Sequence, residues 1–296
     1  MLGAAAGGGF PQWNANNAAC RRARAGDRAA RPRTQCGIAV SGDGESWVLV
    51  SASPDLRQQI EACPALHPRE GLRHSPIAGV ILTASEVDAV AGLLVLRESQ
   101  PFTLFATGRV QDVLRANPIF GALSADFVRR RTVALGQPFD LPGGLVAEMF
   151  EVPGKVALYL ERDVADLAGE AEDTVGLCVR DASGARCHFI PGCARWTASL
   201  ADRLRGEALV LFDGTLWTDD ELIREGSGTK TGKRMGHMSV ADSDGVIAAF
   251  RDLGVHRKVL IHINNSNPVL LDDSPERKMA SQAGWEIAHD GMEVTL

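Results

Sequence analysis

The sequence lacks any apolar run long enough to cross a bilayer, which takes about 20 consecutive apolar residues. Its first residues, MLGAAAGGGFPQW, are small and apolar. They have neither a basic start nor a sustained hydrophobic stretch, so they do not resemble a secretory signal peptide. We therefore expect no membrane insertion and a cytoplasmic location.

Cysteine is scarce and basic charge is not in excess. The 6 cysteines among 296 residues show no disulfide-framework spacing, and we expect mostly free thiols. The net charge is −6 and most basic residues are dispersed, which argues against a nucleic-acid partner. One basic patch, Arg21 to Arg33, is interpreted as a solvated, mobile loop.

The composition is that of a globular protein, with 45% hydrophobic and 23% charged residues. The length suffices for one large α/β domain or two small ones. Because no internal repeat or long low-complexity linker divides the chain, we predict a single domain over residues 1–296.

Strand-like and helical patterns alternate along the chain. Residues 37–40 and 47–51 flank SGDGES, which is typical of a hairpin connection. Two β-rich halves, each closed by helices, indicate two packed sheets covered by helices on both outer faces. Further strands are predicted over residues 77–82, 102–106, 145–150, 155–160, 174–179, 187–190, 208–212 and 258–263 and near the end of the chain. Helices are predicted over 54–61, 87–96, 109–116, 198–204, 246–253 and 275–283.

The segment LTASEVDAVAGLL, residues 82–94, runs from a buried strand through a polar turn into a helix. Glu86 and Asp88 lie in that turn, at the strand end where ligands of open α/β sheets usually bind. Two carboxylates there could bind a hard or borderline cation. They could also cap the helix and complement its dipole, which is the commoner role.

Asp213 follows another apolar strand, in FDGTLW. Its carboxylate could enter a cleft or brace the turn through backbone amides. The loop GSGTKTGKRMGHM, residues 226–238, does not fit the P-loop pattern and is interpreted as a mobile flap over a site. His237 near its end could be a metal ligand, an acid–base group or an ordinary loop residue.

HINNSNP, residues 262–268, also follows an apolar strand. His262 could be functional or an ordinary core histidine, and Asn264 and Asn265 could satisfy loop backbone groups or orient a substrate. Cys193, in IPGCAR, is expected at an exposed bend. As a nucleophile it would need a depressed pKa and a base, which the sequence does not identify.

Many segments in one order resemble the coenzyme PQQ synthesis protein B family of the metallo-β-lactamase superfamily. The resemblance covers essentially the whole chain and implies an α/β protein with an αββα four-layer sandwich. It also implies a role in making pyrroloquinoline quinone (PQQ) from a glutamate and a tyrosine of a short precursor peptide. The matching segments include LGAAAGGGFPQWN, RTQCGIAV, ASPDLRQQI, HPREGLRHSPI, VPGKVALYL, LFDGTLWTDDELI, KTGKRMGHM, HINNSNPVL and GWEIAHDGMEV.

The sequence departs from the family at the metal-binding turn, which usually reads T-N-x-D-x-D-H. Ala84 replaces the asparagine, Glu86 the first aspartate and Ala89 the histidine, while Asp88 remains. Because alanine has no donor atom, we expect a degenerate site that binds iron or zinc weakly.

The resemblance places the metal on Glu86, Asp88 and His262. His237 is the candidate for a second histidine ligand. The candidate catalytic residues lining the pocket are Asp213, His237, Asn264 and Asn265.

The second departure concerns a structural zinc motif that reads Q-W-N-C-x-C-x-x-C in the family. Here Ala15 and Asn17 replace two cysteines and only Cys20 remains. One thiolate cannot hold a tetrahedral zinc, so we expect that this zinc has been lost.

These implications predict metal-dependent oxidation (hydroxylation) of the tyrosine-derived precursor, with PQQ or its peptide-derived precursor and other PQQ biosynthesis proteins as partners. A non-catalytic carrier that moves PQQ or its precursor towards the periplasm is the alternative, supported by Ala89. A hydrolase is less favoured, because such enzymes use histidines that this chain lacks. Assembly as a homodimer is left open.

Overall fold

The computed structural model describes residues 1–155, 157, 159–160 and 172–296, and its strands form two sheets. The first contains β1 (Ile38–Val40), β2 (Trp47–Val50), β3 (Ile77–Ile81), β4 (Phe102–Ala106) and β5 (Val128–Thr132), in the order β1-β2-β3-β4-β5. The second contains β6 (Phe139–Asp140), β7 (Val146–Glu151), β8 (Val175–Arg180), β9 (Arg186–Ile190), β10 (Leu209–Asp213), β11 (Arg257–Ile261) and β12 (Trp285–Ile287). Its order is β12-β11-β10-β9-β8-β7-β6.

The helices are short and connect or cover these strands. They are α1 (Ala18–Arg24), α2 (Leu56–Glu61), α3 (Val87–Val90), α4 (Gly108–Ala116), α5 (Ala198–Leu204), α6 (Glu221–Glu225), α7 (Gly232–Met235), α8 (Val246–Ala249) and α9 (Pro275–Gln282). A 3-10 helix over Ala91–Leu96 continues α3. Among the described residues, no helix has the length and apolar character that crossing a membrane requires.

Three hydrophobic clusters define the layers. Alternate residues of a strand face opposite sides of a sheet, and β10 shows this directly. Leu211 packs between the two sheets, whereas Phe212 packs on the outer side with residues of α1, α5 and α9. Leu104 of β4 belongs to the cluster that joins the five-stranded sheet to α2 and α4. The layers are therefore helix, sheet, sheet and helix, which confirms the predicted αββα sandwich.

The hairpin of β1 and β2 is confirmed, with antiparallel pairing across SGDGES. The remaining strands follow the predictions closely where the pattern was apolar. Strand β5, VRRRT, was not predicted because three consecutive arginines interrupt any apolar alternation. The strand predicted over residues 155–160 lies partly outside the described residues, and Tyr159 and Leu160 lie in a 3-10 turn. The helix predicted over 246–253 ends at Ala249.

The basic patch is not simply a loop, because its first residues belong to α1. The side chain of Asn17 caps this helix by accepting a hydrogen bond from the Cys20 amide at 2.8 Å. Arg22 forms ion pairs with Asp27 at 2.6 Å and Asp273 at 2.7 Å. The prediction of a loop was therefore wrong for the residues of α1, where the charge of Arg22 is paired within the fold while Arg21 and Arg24 are exposed.

Gly92 allows the turn after β3 to pack against residues 52–53. Its amide donates to the Ala52 carbonyl at 2.8 Å, and a Cβ at this position would lie 2.0 Å from the Ser53 carbonyl oxygen. Backbone atoms cannot move aside as a flexible side chain could. We expect Gly92→Ala to lower the free energy of unfolding by about 1–3 kcal/mol, as overpacking does elsewhere.

Gly121→Ala is the matched control, because nothing lies within 4 Å of the added methyl group. Urea denaturation of both variants measures the difference. Equal midpoints for Gly92→Ala and Gly121→Ala would contradict the close approach.

Candidate metal centre

Two neighbouring strand ends bring Asp213 and His262 together. Strands β10 and β11 are parallel, and Asp213 is in register with Ile261. His262 is the next residue after β11, so it lies beside Asp213 at the same edge of the sheet. Both residues therefore lie at neighbouring strand ends, and their role in a functional site stays a prediction.

The carboxylate of Asp213 is fully buried and lies among donors from three segments. Its Oδ2 accepts a hydrogen bond from the Cys193 amide at 2.9 Å and lies 2.8 Å from Nδ1 of His237. Its Oδ1 accepts from the amide of Thr215 at 3.0 Å and from its hydroxyl at 2.7 Å. A buried charge is tolerated when it is satisfied in this way.

His237 and His262 lie with their rings stacked, 5.2 Å apart between centroids and 21° between planes. The hydroxyl oxygen of Thr215 is 3.1 Å from Nδ1 of His237 and 2.9 Å from Nδ1 of His262. His262 has a φ of 58°, in the left-handed region that few non-glycine residues adopt. Such strain is typical of functional sites, where surrounding contacts hold it in place.

The environment keeps His262 neutral. Burial, and then the neighbouring His237, lower the pKa of the His262 imidazole to about 4. A neutral imidazole is the form that binds a metal ion.

Asp213, His237 and His262 together form a candidate metal site. One donor atom from each lies within 4.8 Å of the other two, and no other group of this kind occurs among the described residues. Two imidazoles and one carboxylate are the donors of non-haem iron sites and of several zinc sites. The donor chemistry therefore fits either metal named by the sequence analysis.

Glu86 and Asp88, two of the three predicted ligands, lie outside this close group. Glu86 is 3.7 Å from the ammonium group of Lys155. Burial, and then the charge of Glu86, raise the pKa of the Asp88 carboxyl to about 6, while His237 opposes the shift. Asp88 also contacts the backbone at Gly7, where an added Cβ would lie 2.5 Å from its Oδ2. His237 therefore interacts electrostatically with Asp88, and metal binding by Glu86 and Asp88 stays a prediction.

Asn264 lies in the loop after His262, but its side chain turns to a neighbour in that loop. Its amide nitrogen donates to the hydroxyl of Ser266 at 2.6 Å, and its backbone amide donates to the Thr215 carbonyl at 3.0 Å. The hydroxyl of Ser266 in turn donates to buried Glu221, whose pKa burial raises to about 7. Asn264 therefore fixes the loop that carries His262.

The side chain of Asn265 makes hydrogen bonds to the N-terminal segment rather than to the metal group. Its Oδ1 accepts a hydrogen bond from Asn17 at 3.1 Å and one from the thiol of Cys20 at 3.6 Å, and its amide donates to Gln12. Burial raises the pKa of the Cys20 thiol, so this thiol is held in its protonated form. The predicted pocket role of Asn265 is not supported by these contacts.

The sequence analysis misplaced one residue that contributes to the site, Cys193, and missed another, Thr215. Cys193 is fully buried rather than at an exposed bend, and burial raises the pKa of its thiol to about 12, which disfavours a nucleophile. Its backbone amide, not its thiol, serves the site. Thr215 was also missed, although a threonine two residues after an aspartate often bonds back to it.

Thr215→Val should destabilise the protein by about 1–3 kcal/mol, because it leaves a buried carboxylate oxygen and two imidazole nitrogens without their hydroxyl partner. Thr215→Ser keeps the hydroxyl and should cost only about 1 kcal/mol for the lost methyl group. Chemical denaturation of both variants checks this difference. A valine variant as stable as the serine variant would show that the hydroxyl network contributes little.

Comparisons with known proteins agree with this architecture. Residues 46–263 match the family model described as a β-lactamase superfamily domain. The chain is 63% identical over 304 residues to coenzyme PQQ synthesis protein B of Gluconacetobacter diazotrophicus, covering 100% of this chain and 98% of that relative. It is 54% identical to the protein of the same name from Xanthomonas oryzae pv. oryzae, over 100% of this chain and 99% of the relative.

Solved structures give the same relationship. Zn²⁺-bound PqqB from Methylobacterium extorquens is similar with a TM-score of 0.97 and 52% identity, covering 100% of this chain and 98% of that one. A diphosphatase of the PhnP family shares the fold, with a TM-score of 0.66 and 18% identity over 99% of this chain and 94% of the other. The chain therefore belongs to the coenzyme PQQ synthesis protein B family of the β-lactamase superfamily.

Proposed function

We propose that this protein acts in PQQ biosynthesis and that its metal centre serves the oxidation (hydroxylation) of a tyrosine-derived precursor. The observation that carries the proposal is the convergence of Asp213, His237 and His262 within 4.8 Å. The names of its relatives, which share more than half of its residues, support the pathway assignment.

His237 supplies the imidazole that the turn after β3 no longer offers at Ala89. In this proposal the metal is held by His237, His262 and Asp213, and its identity is iron or zinc. The zinc in the structure from Methylobacterium extorquens supports a metal in this fold. Iron, when bound, would supply the activation of dioxygen that hydroxylation requires.

The residues of the chain hold this centre in one arrangement. The Thr215 hydroxyl contacts Nδ1 of both imidazole rings, and partners of this kind orient ligands and tune their basicity. Asp88, which interacts electrostatically with His237, has a pKa of about 6. Its carboxylate can accept a proton close to neutral pH, which suits a general base acting on a phenol.

A non-catalytic carrier of PQQ or its precursor is the second candidate. The observation that favours it is Ala89, whose buried methyl group occupies a ligand position of the family turn and cannot bind a metal. A carrier would keep the cleft and bind the product without turning it over.

Metal loading separates the two candidates. The full chain is purified anaerobically, and Fe(II) or Zn(II) is titrated in while bound metal is measured. Iron bound tightly at one ion per chain, with oxygen consumption on the precursor peptide, supports the enzyme. Absence of metal binding together with saturable binding of PQQ supports the carrier.

His262→Ala and His237→Ala should each weaken metal binding by about two orders of magnitude or abolish it, because every lost ligand removes several kcal/mol (about 1.4 kcal/mol per tenfold). His256→Ala is the matched control, since His256 is exposed. Glu86→Gln should retain binding. If Glu86→Gln or Asp88→Asn abolishes binding while His237→Ala keeps it, the ion is held by the turn after β3 and the ligand assignment is wrong.

A further inference from the structure

A cavity of about 520 Å³ lies between α5 and the outer face of strands β7, β8 and β9. Its volume falls within the range of small-molecule sites, about 300–1,000 Å³. It shares no lining residue with the metal centre. Four arginines contribute to its wall, namely Arg180, Arg186, Arg203 and Arg205, together with Glu148, Asp202, Glu207 and His188.

The register of the sheet places two of these arginines side by side. Arg180 of β8 pairs directly with Arg186 of β9 at the end of the antiparallel ladder. Like charges directly opposite each other destabilise a sheet unless something compensates them. Arg186 is compensated by Glu207 at 2.7 Å. Arg180 is exposed, and no ion pair to it is found in the described part of the chain.

His188 lies further in, on the next rung of the same face. It pairs with Cys178 of β8, which in turn pairs with Glu148 of β7. The imidazole is 2% exposed, and neither ring nitrogen makes a hydrogen bond within the described residues. Its Nε2 is 3.4 Å from Oε2 of Glu207, but without hydrogen-bond geometry.

An unsatisfied buried imidazole needs an explanation, because nearly all buried polar groups have partners. Burial lowers the pKa of His188 to about 4, so the ring is neutral at pH 7 and carries one donor and one acceptor. The ring is among the groups that line the cleft, so a molecule bound there would lie beside it. The guanidinium groups at the mouth offer the planar pairs of donors that bind carboxylate or phosphate.

We propose that this cleft binds a small organic anion, whose carboxylate or phosphate lies on Arg180, beside Arg186, and whose remaining atoms lie along the wall that His188 lines. The other acidic residues that line the cleft do not neutralise Arg180, because each lies beside another arginine. Glu148 is paired with Arg203 at 2.8 Å, and Asp202 lies 3.5 Å from Arg205. The excess positive charge is thus concentrated at Arg180, which is where the anionic group should bind. This site is separate from the proposed metal chemistry and does not depend on it.

Titration calorimetry with citrate and with phenyl phosphate tests the proposal on the full chain, with acetate as the weak reference. We expect saturable binding of one molecule per chain, together with a shift of the His188 ring signals in protein labelled with ¹⁵N at histidine. Tighter binding of citrate identifies a carboxylate as the natural group, and tighter binding of phenyl phosphate identifies a phosphate.

Arg180→Gln should weaken the binding of the better probe by about tenfold or more, equivalent to about 1.4 kcal/mol. The affinity of Arg180→Lys for this probe should lie between those of the wild type and Arg180→Gln, because lysine keeps the charge but lacks the planar guanidinium group. Arg129→Gln, which removes an exposed strand arginine on the other sheet, is the matched control and should bind like the wild type. The proposal is overturned if neither probe saturates at low ionic strength, or if Arg180→Gln and Arg129→Gln weaken binding equally.

Discussion

The buried carboxylate of Asp213 holds together the turns and loops that form the candidate metal centre. Removing a charge from water costs several kcal/mol unless donors surround it. The fold meets that need with the Cys193 amide, the amide and hydroxyl of Thr215, and the imidazole of His237. These donors come from the turn after β9, the turn after β10 and the loop after α7, so satisfying one charge fixes three segments of the chain. His262 joins the same network through the hydroxyl of Thr215.

The same network shows how the candidate site can form without a histidine from the turn after β3. Residue 89 is alanine, where the resemblance implies a histidine, yet a stacked pair of imidazoles lies beside the carboxylate. His237 comes from a loop rather than from a strand end, and the contact of its Nδ1 with Asp213 at 2.8 Å holds it in place. Burial and the charge of Glu86 raise the pKa of Asp88, which suits the proton transfer proposed for it. The lost ligand and the proposed activity are therefore compatible.

The sequence predicted what depends on local patterns and missed what depends on long-range contact. Alternating apolar residues, with the family resemblance, predicted the four layers and most strands of the two sheets, and strand ends singled out Asp213 and His262 as candidates. The role of His237 was left with several interpretations, because no local pattern shows that residue 237 lies beside residue 213. Asn265 was assigned to the pocket since it follows His262, whereas its side chain turns to Asn17 and Cys20. The pairing of Arg180 with Arg186 depends on a strand register that no single-sequence pattern reveals.

The most direct test of the central claim is anomalous diffraction from crystals of the zinc- or iron-loaded protein, with data collected on both sides of the metal absorption edge. The account predicts one anomalous peak within about 2.0–2.2 Å of donor atoms of Asp213, His237 and His262. A peak held by Glu86 and Asp88, with His237 turned away, would contradict it.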